Sequence, residues 1–226
     1  RKTRNSNKLY NRTAKNIERH LKFMDYLKIY ANFLGKFLKP EQKLKIVFDC
    51  SNGAAGPILE KIINNTLKLK NKIFFNSKFK ILNSKPDGNF PSHGPNPLRK
   101  DAIRQIQNYV KKQNFDFGMI FDADADRIFL IDDRGFFVNP DVVAKLLIWH
   151  FKPKKIIIDA CTGWLIRKIK SQKLKIIESK IGHYYIKKLM RKNNAEFAVE
   201  HSGHYYFRLK GLSARNENNF LLKCNK

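Results

Sequence analysis

Three aspartates at alternate positions, Asp122, Asp124 and Asp126, stand directly before Arg127 in the stretch MIFDADADRIFLIDD. In an extended segment such residues point to one side about 6.5–7 Å apart, and an irregular loop can converge them further. Carboxylate oxygens are hard ligands that suit Mg²⁺, an ion that prefers octahedral geometry and keeps water or phosphate oxygens in its remaining places. A solvated acidic turn between two strands would have the same composition, because Asp is common in turns. The apolar runs on both sides favour a site, since they put the segment at the end of a buried sheet.

Strands and helices alternate around this segment. A helical stripe runs through Leu21, Met24, Leu27, Ile29, Phe33, Phe37 and Leu38, and Pro40 helps to end it. Ile46 to Phe48 read as a strand that passes through a Ser-Asn-Gly turn into a helix starting near Pro57, and KIFF (72–75) is a second strand candidate. The Pro, Gly, Asn and Asp residues of KPDGNFPSHGPNPL (85–98) predict a defined loop. Ile103, Ile106 and Val110 mark another helix, followed by strand, acidic loop and strand. After a turn at Asp132, Asp133 and Gly135, a second cycle begins from Val138. It holds a helix over Asp141 to His150, a strand at KKIIIDA, a helix from about Trp164, a strand at LKIIES, a helix over Tyr184 to Lys192 and a strand over Ala195 to Val199. The pattern predicts two consecutive α/β units with a boundary near Gly135.

The chain has 226 residues and a formal net charge of +27. No apolar run is long enough to span a membrane as a helix, and no signal peptide is visible. The first residue is Arg1, so an upstream targeting segment stays open. Cys50, Cys161 and Cys224 are scattered, which argues against a disulfide framework or a zinc site and points to a reducing cytoplasm. The lysines are spread along the whole chain (Lys36, Lys80, Lys111, Lys154, Lys173 and Lys192 among them), which is a compositional bias rather than the clustered stripe of a nucleic-acid binder. The charge still favours anionic ligands through long-range attraction.

Five motifs together carry a resemblance. DADADR is similar to the metal-binding loop DGDADR of the α-D-phosphohexomutases, the phosphomannomutase and phosphoglucomutase family. DCSNGAAG (49–56) resembles that family's DxxNGxxG, and KPDGNFPSHGPNPL resembles its PDGNFPNHxPNP. IGHYYIKKLM (181–190) is similar to VGHxxIKxxM, and VEHSGHYYFR (199–208) to the sugar-reading GGExSGHxxF. The matches run in the family's order from about Leu21 to Arg208. The resemblance implies an α/β fold of two consecutive units, each a mixed sheet covered by helices: residues 1–20 as a tail or linker, 21–136 as the family's second domain and 137–226 as its third. It implies Mg²⁺ on Asp122, Asp124 and Asp126, and catalytic roles for Arg127 and His183. It also implies a sugar-reading set of Glu200, Ser202, Gly203 and His204, with hexose phosphate and hexose bisphosphate as ligands. On residue types alone, Glu200 and Ser202 would be a polar turn after a strand, and His183 a helix cap packing against Tyr184.

The resemblance covers two of the family's four domains. The first-domain phosphoserine of a TASHNP-like loop and the Arg-Ser-Gly-rich phosphate clamp of the fourth have no counterpart in this sequence, so these residues alone are expected to be inactive. Ser92-His93 imitates the phosphoserine loop, but PDGNF places Ser92 where the family has Asn, so Ser92 is read as structural or a peripheral contact. Ala123 replaces a Gly, which strains the loop if φ there is positive. Ala198-Val199 replaces Gly-Gly before Glu200, where larger side chains could crowd the sugar. Near Ala160 or Cys161 the family carries a Lys or Arg, and after Arg208 the sequence LKGLSARNENNF lacks its usual turn. Ala125 matches the mannose and glucose branch rather than the DGDGDR of the phosphoglucosamine branch.

The leading expectation is therefore the central part of a phosphohexomutase acting on mannose or glucose phosphates. A non-catalytic remnant that binds sugar phosphate or a protein partner is the alternative. A nucleic-acid binder ranks last, and would show steeply salt-dependent affinity.

Overall fold

The computed structural model describes residues 26–35, 42–68, 77–169, 173–208 and 221–223. The first unit contains α1 (Tyr26–Gly35), β1 (Lys45–Asp49), α2 (Ala55–Lys68), β2 (Lys78–Leu82), α3 (Lys100–Gln113), β3 (Phe117–Phe121), β4 (Ile128–Ile131) and β5 (Phe137–Val138). The second contains α4 (Pro140–Phe151), β6 (Lys155–Asp159), α5 (Trp164–Arg167), β7 (Lys175–Ser179), α6 (His183–Asn193), β8 (Phe197–Glu200), β9 (His204–Arg208) and β10 (Leu221–Lys223).

The two sheets have the same plan. The first runs β2-β1-β3-β4-β5 and the second, read from its other edge, β7-β6-β8-β9-β10. In each, the first strand pairs in parallel with the next two, and the third turns back into antiparallel strands. Parallel strands covered on both faces need continuous apolar runs. Ile156, Ile157 and Ile158 supply one, each fully buried, and burying each is worth about 1.5–3 kcal/mol. The hairpin strands instead alternate. On β4, Phe129 and Ile131 enter the first core with Val47, Ile106 and Ile120, while Ile128 and Leu130 pack against the second core around Val143, Ile158 and Val199. One strand thus serves both cores and fixes the units against each other.

Helix ends follow from local chemistry. Asn139 caps α4 by accepting the Asp141 N–H at 2.8 Å, with Pro140 in the first turn, and Lys152 ends it in a left-handed conformation. Asn114 and Asn194 end α3 and α6 in the same way.

Some elements are shorter than expected or differently placed, and some expectations fall outside the described residues. The second strand lies at Lys78–Leu82, and KIFF lies outside the described residues. In α1 the buried residue is Ala31, whereas Ile29 is 52% exposed; Leu21, Met24, Phe37 and Leu38 are not described. The helix from Trp164 is a single turn of 4 residues. Phe137 and Val138 pair with β4 and complete the first sheet. The turn region after Arg208 lies outside the described residues.

Candidate functional site

The repeated plan puts two hairpin loops at equivalent places. Residues 122–127 join β3 to β4, and residues 201–203 join β8 to β9. Each follows the C-terminal end of a buried parallel strand, the edge where open α/β sheets place their sites.

The acidic loop is organised around Asp122, which is 2% exposed. Its Oδ1 accepts the backbone N–H groups of Asp126 at 2.7 Å and Arg127 at 3.0 Å, and its Oδ2 accepts Arg127 Nε at 2.7 Å. Oxygen atoms of Asp122, Asp124 and Asp126 come within 4.8 Å of one another. Asp124 is exposed. Burial, and then the charges of Asp122 and Asp126, raise its pKa, so the cluster resists carrying three negative charges unaided. A cation would relieve that repulsion, and three hard oxygen donors suit a divalent metal; the acidic cluster could bind one. The chain itself balances part of the charge, through Arg127 on Asp122, and His204 Nε2 lies 3.0 Å from Asp126 Oδ1. The carboxylates are therefore not left for a metal alone to neutralise.

Ala123 does not take a positive φ; Ala125 does, at 61°. The strain expected at Ala123 is thus absent, and the left-handed residue of the loop is Ala125. The loop is held from the first unit's Ser-Asn-Gly turn. Ala54 N donates to Ala123 O at 2.8 Å, and a Cβ on Gly53 would collide with the Ala123 backbone. Gly53→Ala should displace the acidic loop and cost about 1–3 kcal/mol, read as a lower urea midpoint.

Ser92 and His93 form no nucleophilic pair. Ser92 Oγ donates to Asn83 Oδ1 at 2.7 Å, while His93 Nε2 faces both Asp49 oxygens at 3.2 Å. Both side chains are buried, at 2% for His93 and 0% for Asp49. This pair ties the 85–98 loop to the end of β1. Burial opposes the charged ring, but the Asp49 hydrogen bond and charge outweigh it and raise the His93 pKa above 6.5. A raised pKa stabilises the fold while the ring is charged. The contribution is complete below about pH 6.5 and is lost as pH rises through the folded-state value. Stability of the wild-type chain should therefore carry a downward slope with pH in that window that His93→Gln lacks, measured by urea denaturation across pH. Cys50, next to Asp49, is inert: burial first, then the Asp49 charge, pushes its thiol up to about 12.

In the second unit, Glu200 is 3% exposed. Its Oε1 accepts Gly182 N–H at 3.0 Å, and its Oε2 accepts Tyr206 O–H at 2.5 Å. Burial and the Glu200 bond raise the Tyr206 pKa, keeping the phenol a donor. Ser202 Oγ lies 2.8 Å from His204 Nδ1. Gly203 has φ +92°, and its carbonyl accepts Ile128 N–H at 3.1 Å. His183 is exposed at the first position of α6, beside Gly182, and Tyr184 stacks edge-on with Tyr185 at 5.3 Å. Glu200, Ser202, Gly203 and His204 are thus brought together, and His204 joins them to Asp126. Ala198 and Val199 are fully buried in cores on opposite faces of the sheet, so neither crowds a ligand. Ala160 and Cys161 are exposed, and the nearby cation Arg167 is spent on the carbonyls of Asp159, Ala160 and Thr162 and on Glu178. Tyr206 and the Asp49–His93 pair were not legible as site supports. The alternation of HYYFR after Ser202 was the available signal, since it puts Tyr206 and His204 on one face.

The fold and loops define an α/β protein of two like units that meet at an acidic loop and a Glu-His-Ser-Gly-His loop. Residues 22–135 match the family model described as phosphoglucomutase/phosphomannomutase, alpha/beta/alpha domain II, and residues 139–214 match domain III. The chain belongs to the phosphoglucomutase/phosphomannomutase family. It is 36% identical over 200 residues to a phosphomannomutase of Methanocaldococcus jannaschii, covering 86% of this chain and 42% of that protein. It is 37% identical over 190 residues to a phosphomannomutase of Escherichia coli, covering 82% and 40%. Among solved structures, a phosphoglucomutase/phosphomannomutase family protein from Burkholderia thailandensis superposes with a TM-score of 0.67 at 28% identity, over 81% of this chain and 39% of that one. The chain thus spans about two fifths of the length of these relatives. Among the described residues, no helix is long and apolar enough to cross a membrane.

Proposed function

We propose that this chain is the central, metal-binding and sugar-reading part of a phosphohexomutase. The enzyme interconverts hexose 1-phosphate and hexose 6-phosphate of mannose, glucose or both, through a bisphosphorylated sugar that reorients in the cleft. The observation that carries the reading is the meeting of the two hairpin loops at the His204–Asp126 contact of 3.0 Å. It puts carboxylates fit for a cation beside groups fit for sugar hydroxyls.

Asp122, Asp124 and Asp126 would hold Mg²⁺, which supplies positive charge to stabilise a transferring phosphoryl group. Arg127, anchored through Nε by Asp122, keeps its terminal amino groups for a phosphate oxygen. Glu200 and Ser202 read adjacent sugar hydroxyls. Glu200 Oε1 accepts Gly182 N–H and retains a lone pair for a hydroxyl donor, while Oε2 accepts Tyr206 O–H with His204 Nδ1 3.3 Å away. His183, exposed at the first position of α6, would line the same cleft. The phosphoserine that donates the phosphoryl group, and the clamp on the substrate's far phosphate, come from domains outside residues 1–226. Residues 1–226 would need these parts for turnover.

The test is an assay of the native gene product with mannose 1-phosphate and glucose 1-phosphate in Mg²⁺. Conversion of either to the 6-phosphate is expected. Binding without turnover would replace the mutase reading with the non-catalytic remnant.

A further inference from the structure

We propose that His204 is a positioning residue that ties metal affinity in the first unit to the sugar-reading loop of the second. The inference rests on the metal reading of the acidic loop and concerns a residue outside the three carboxylates.

The ring is held from both sides. Nε2 lies 3.0 Å from Asp126 Oδ1, while Nδ1 lies 2.8 Å from Ser202 Oγ and 3.3 Å from Glu200 Oε2. The Glu200 carboxylate is in turn fixed by Tyr206 O–H and Gly182 N–H. The imidazole is mostly enclosed, at 19% exposure, and stacks against Tyr206 with 6.2 Å between ring centres. The backbone beside it is pinned across the seam, Ile128 N–H to Gly203 O at 3.1 Å. Asp126 is thus aimed by a side chain whose own orientation is set by the second unit. Asp122 is locked by Arg127 and two backbone N–H groups, whereas Asp124 is exposed. Of the three carboxylates, Asp126 is the one oriented from the second unit. Hydrogen-bonding partners behind a ligating group set its orientation, and losing one typically costs about 10–100-fold in metal affinity.

Two amides separate the halves of the ring. A glutamine amide reaches roughly where Nε2 lies and can still donate to Asp126. An asparagine amide reaches only as far as Nδ1 and keeps the Ser202 side alone. Mn²⁺ binding to the full 226-residue chain, followed by electron paramagnetic resonance without any sugar, reads the effect independently of catalysis. Wild type and His204→Gln should bind Mn²⁺ within about threefold of each other, and His204→Asn and His204→Ala about 10–100-fold more weakly. Circular dichroism identifies any variant that does not fold, and the Gln and Asn pair decides the matter if Ala is lost. Equal affinity across wild type, Gln and Asn overturns the positioning role and leaves the metal site standing. Absence of Mn²⁺ binding by folded wild type overturns both.

Discussion

Asp124→Asn is expected to abolish metal binding and, in the complete enzyme, activity, while leaving the fold intact. Asp124 is exposed beside two other carboxylates, and its partial burial first, then their charges, raise its pKa. Removing one of three repelling charges should leave stability within about 0.5 kcal/mol of wild type, the usual range for exposed positions. Loss of a direct ligand should weaken Mn²⁺ by more than the roughly 10–100-fold of an outer partner. Asp122→Ala provides the contrast. That carboxylate is buried and satisfies Arg127 Nε and two backbone N–H groups, so its removal leaves two donors unmatched and Arg127 with only the Asp126 oxygen 4.0 Å away. The loss should be about 3–5 kcal/mol, seen as a fall in the urea midpoint together with loss of metal. Wild-type Mn²⁺ affinity in Asp124→Asn would sink the assignment of the acidic loop.

The second large effect is expected at Gly203, where the two units meet. A side chain there would sit at φ +92°, with its Cβ 2.8 Å from Phe129 Cζ and 3.2 Å from Ile128 O. Neither neighbour can yield easily: Phe129 is 2% exposed in the first core, and Ile128 N–H donates to the Gly203 carbonyl at 3.1 Å. Gly203→Val combines backbone strain of about 1–2 kcal/mol with overpacking of about 1–3 kcal/mol. The urea midpoint should fall accordingly, and His204 should be carried away from Asp126. Gly88→Ala is the matched control, since a Cβ there meets nothing within 4 Å. A Gly203→Val chain as stable as the control would show that the seam tolerates displacement.

Much of this architecture is legible in the residues. IVF and III announce strands buried on both faces, and DADADR between two apolar runs announces a loop at a sheet end. The short antiparallel strands were harder to see. Phe137–Val138 is a strand of 2 residues, and no periodicity exists at that length. His204 to Arg208 read as part of a loop motif, although its alternation places Tyr206 under Glu200. KIFF lies outside the described residues, and the second described strand, KFKIL, is fixed by its parallel register with Lys45–Asp49, a long-range pairing that local β propensity does not carry. Within the site, residue types exposed the donors but not their partners. That Asp126 is held by a histidine 78 positions away is a consequence of the repeated sheet plan, which no short motif carries. The same holds for His93, whose neighbour Ser92 suggests chemistry while its ring is committed to Asp49.

The DADADR loop is proposed as a divalent-metal site where the two units meet. The most direct measurement is an anomalous-difference map from crystals of the chain grown with Mn²⁺. One peak bounded by the carboxylates of Asp122, Asp124 and Asp126 is the result this account predicts. A map with Mn²⁺ elsewhere and none at these three carboxylates would contradict it.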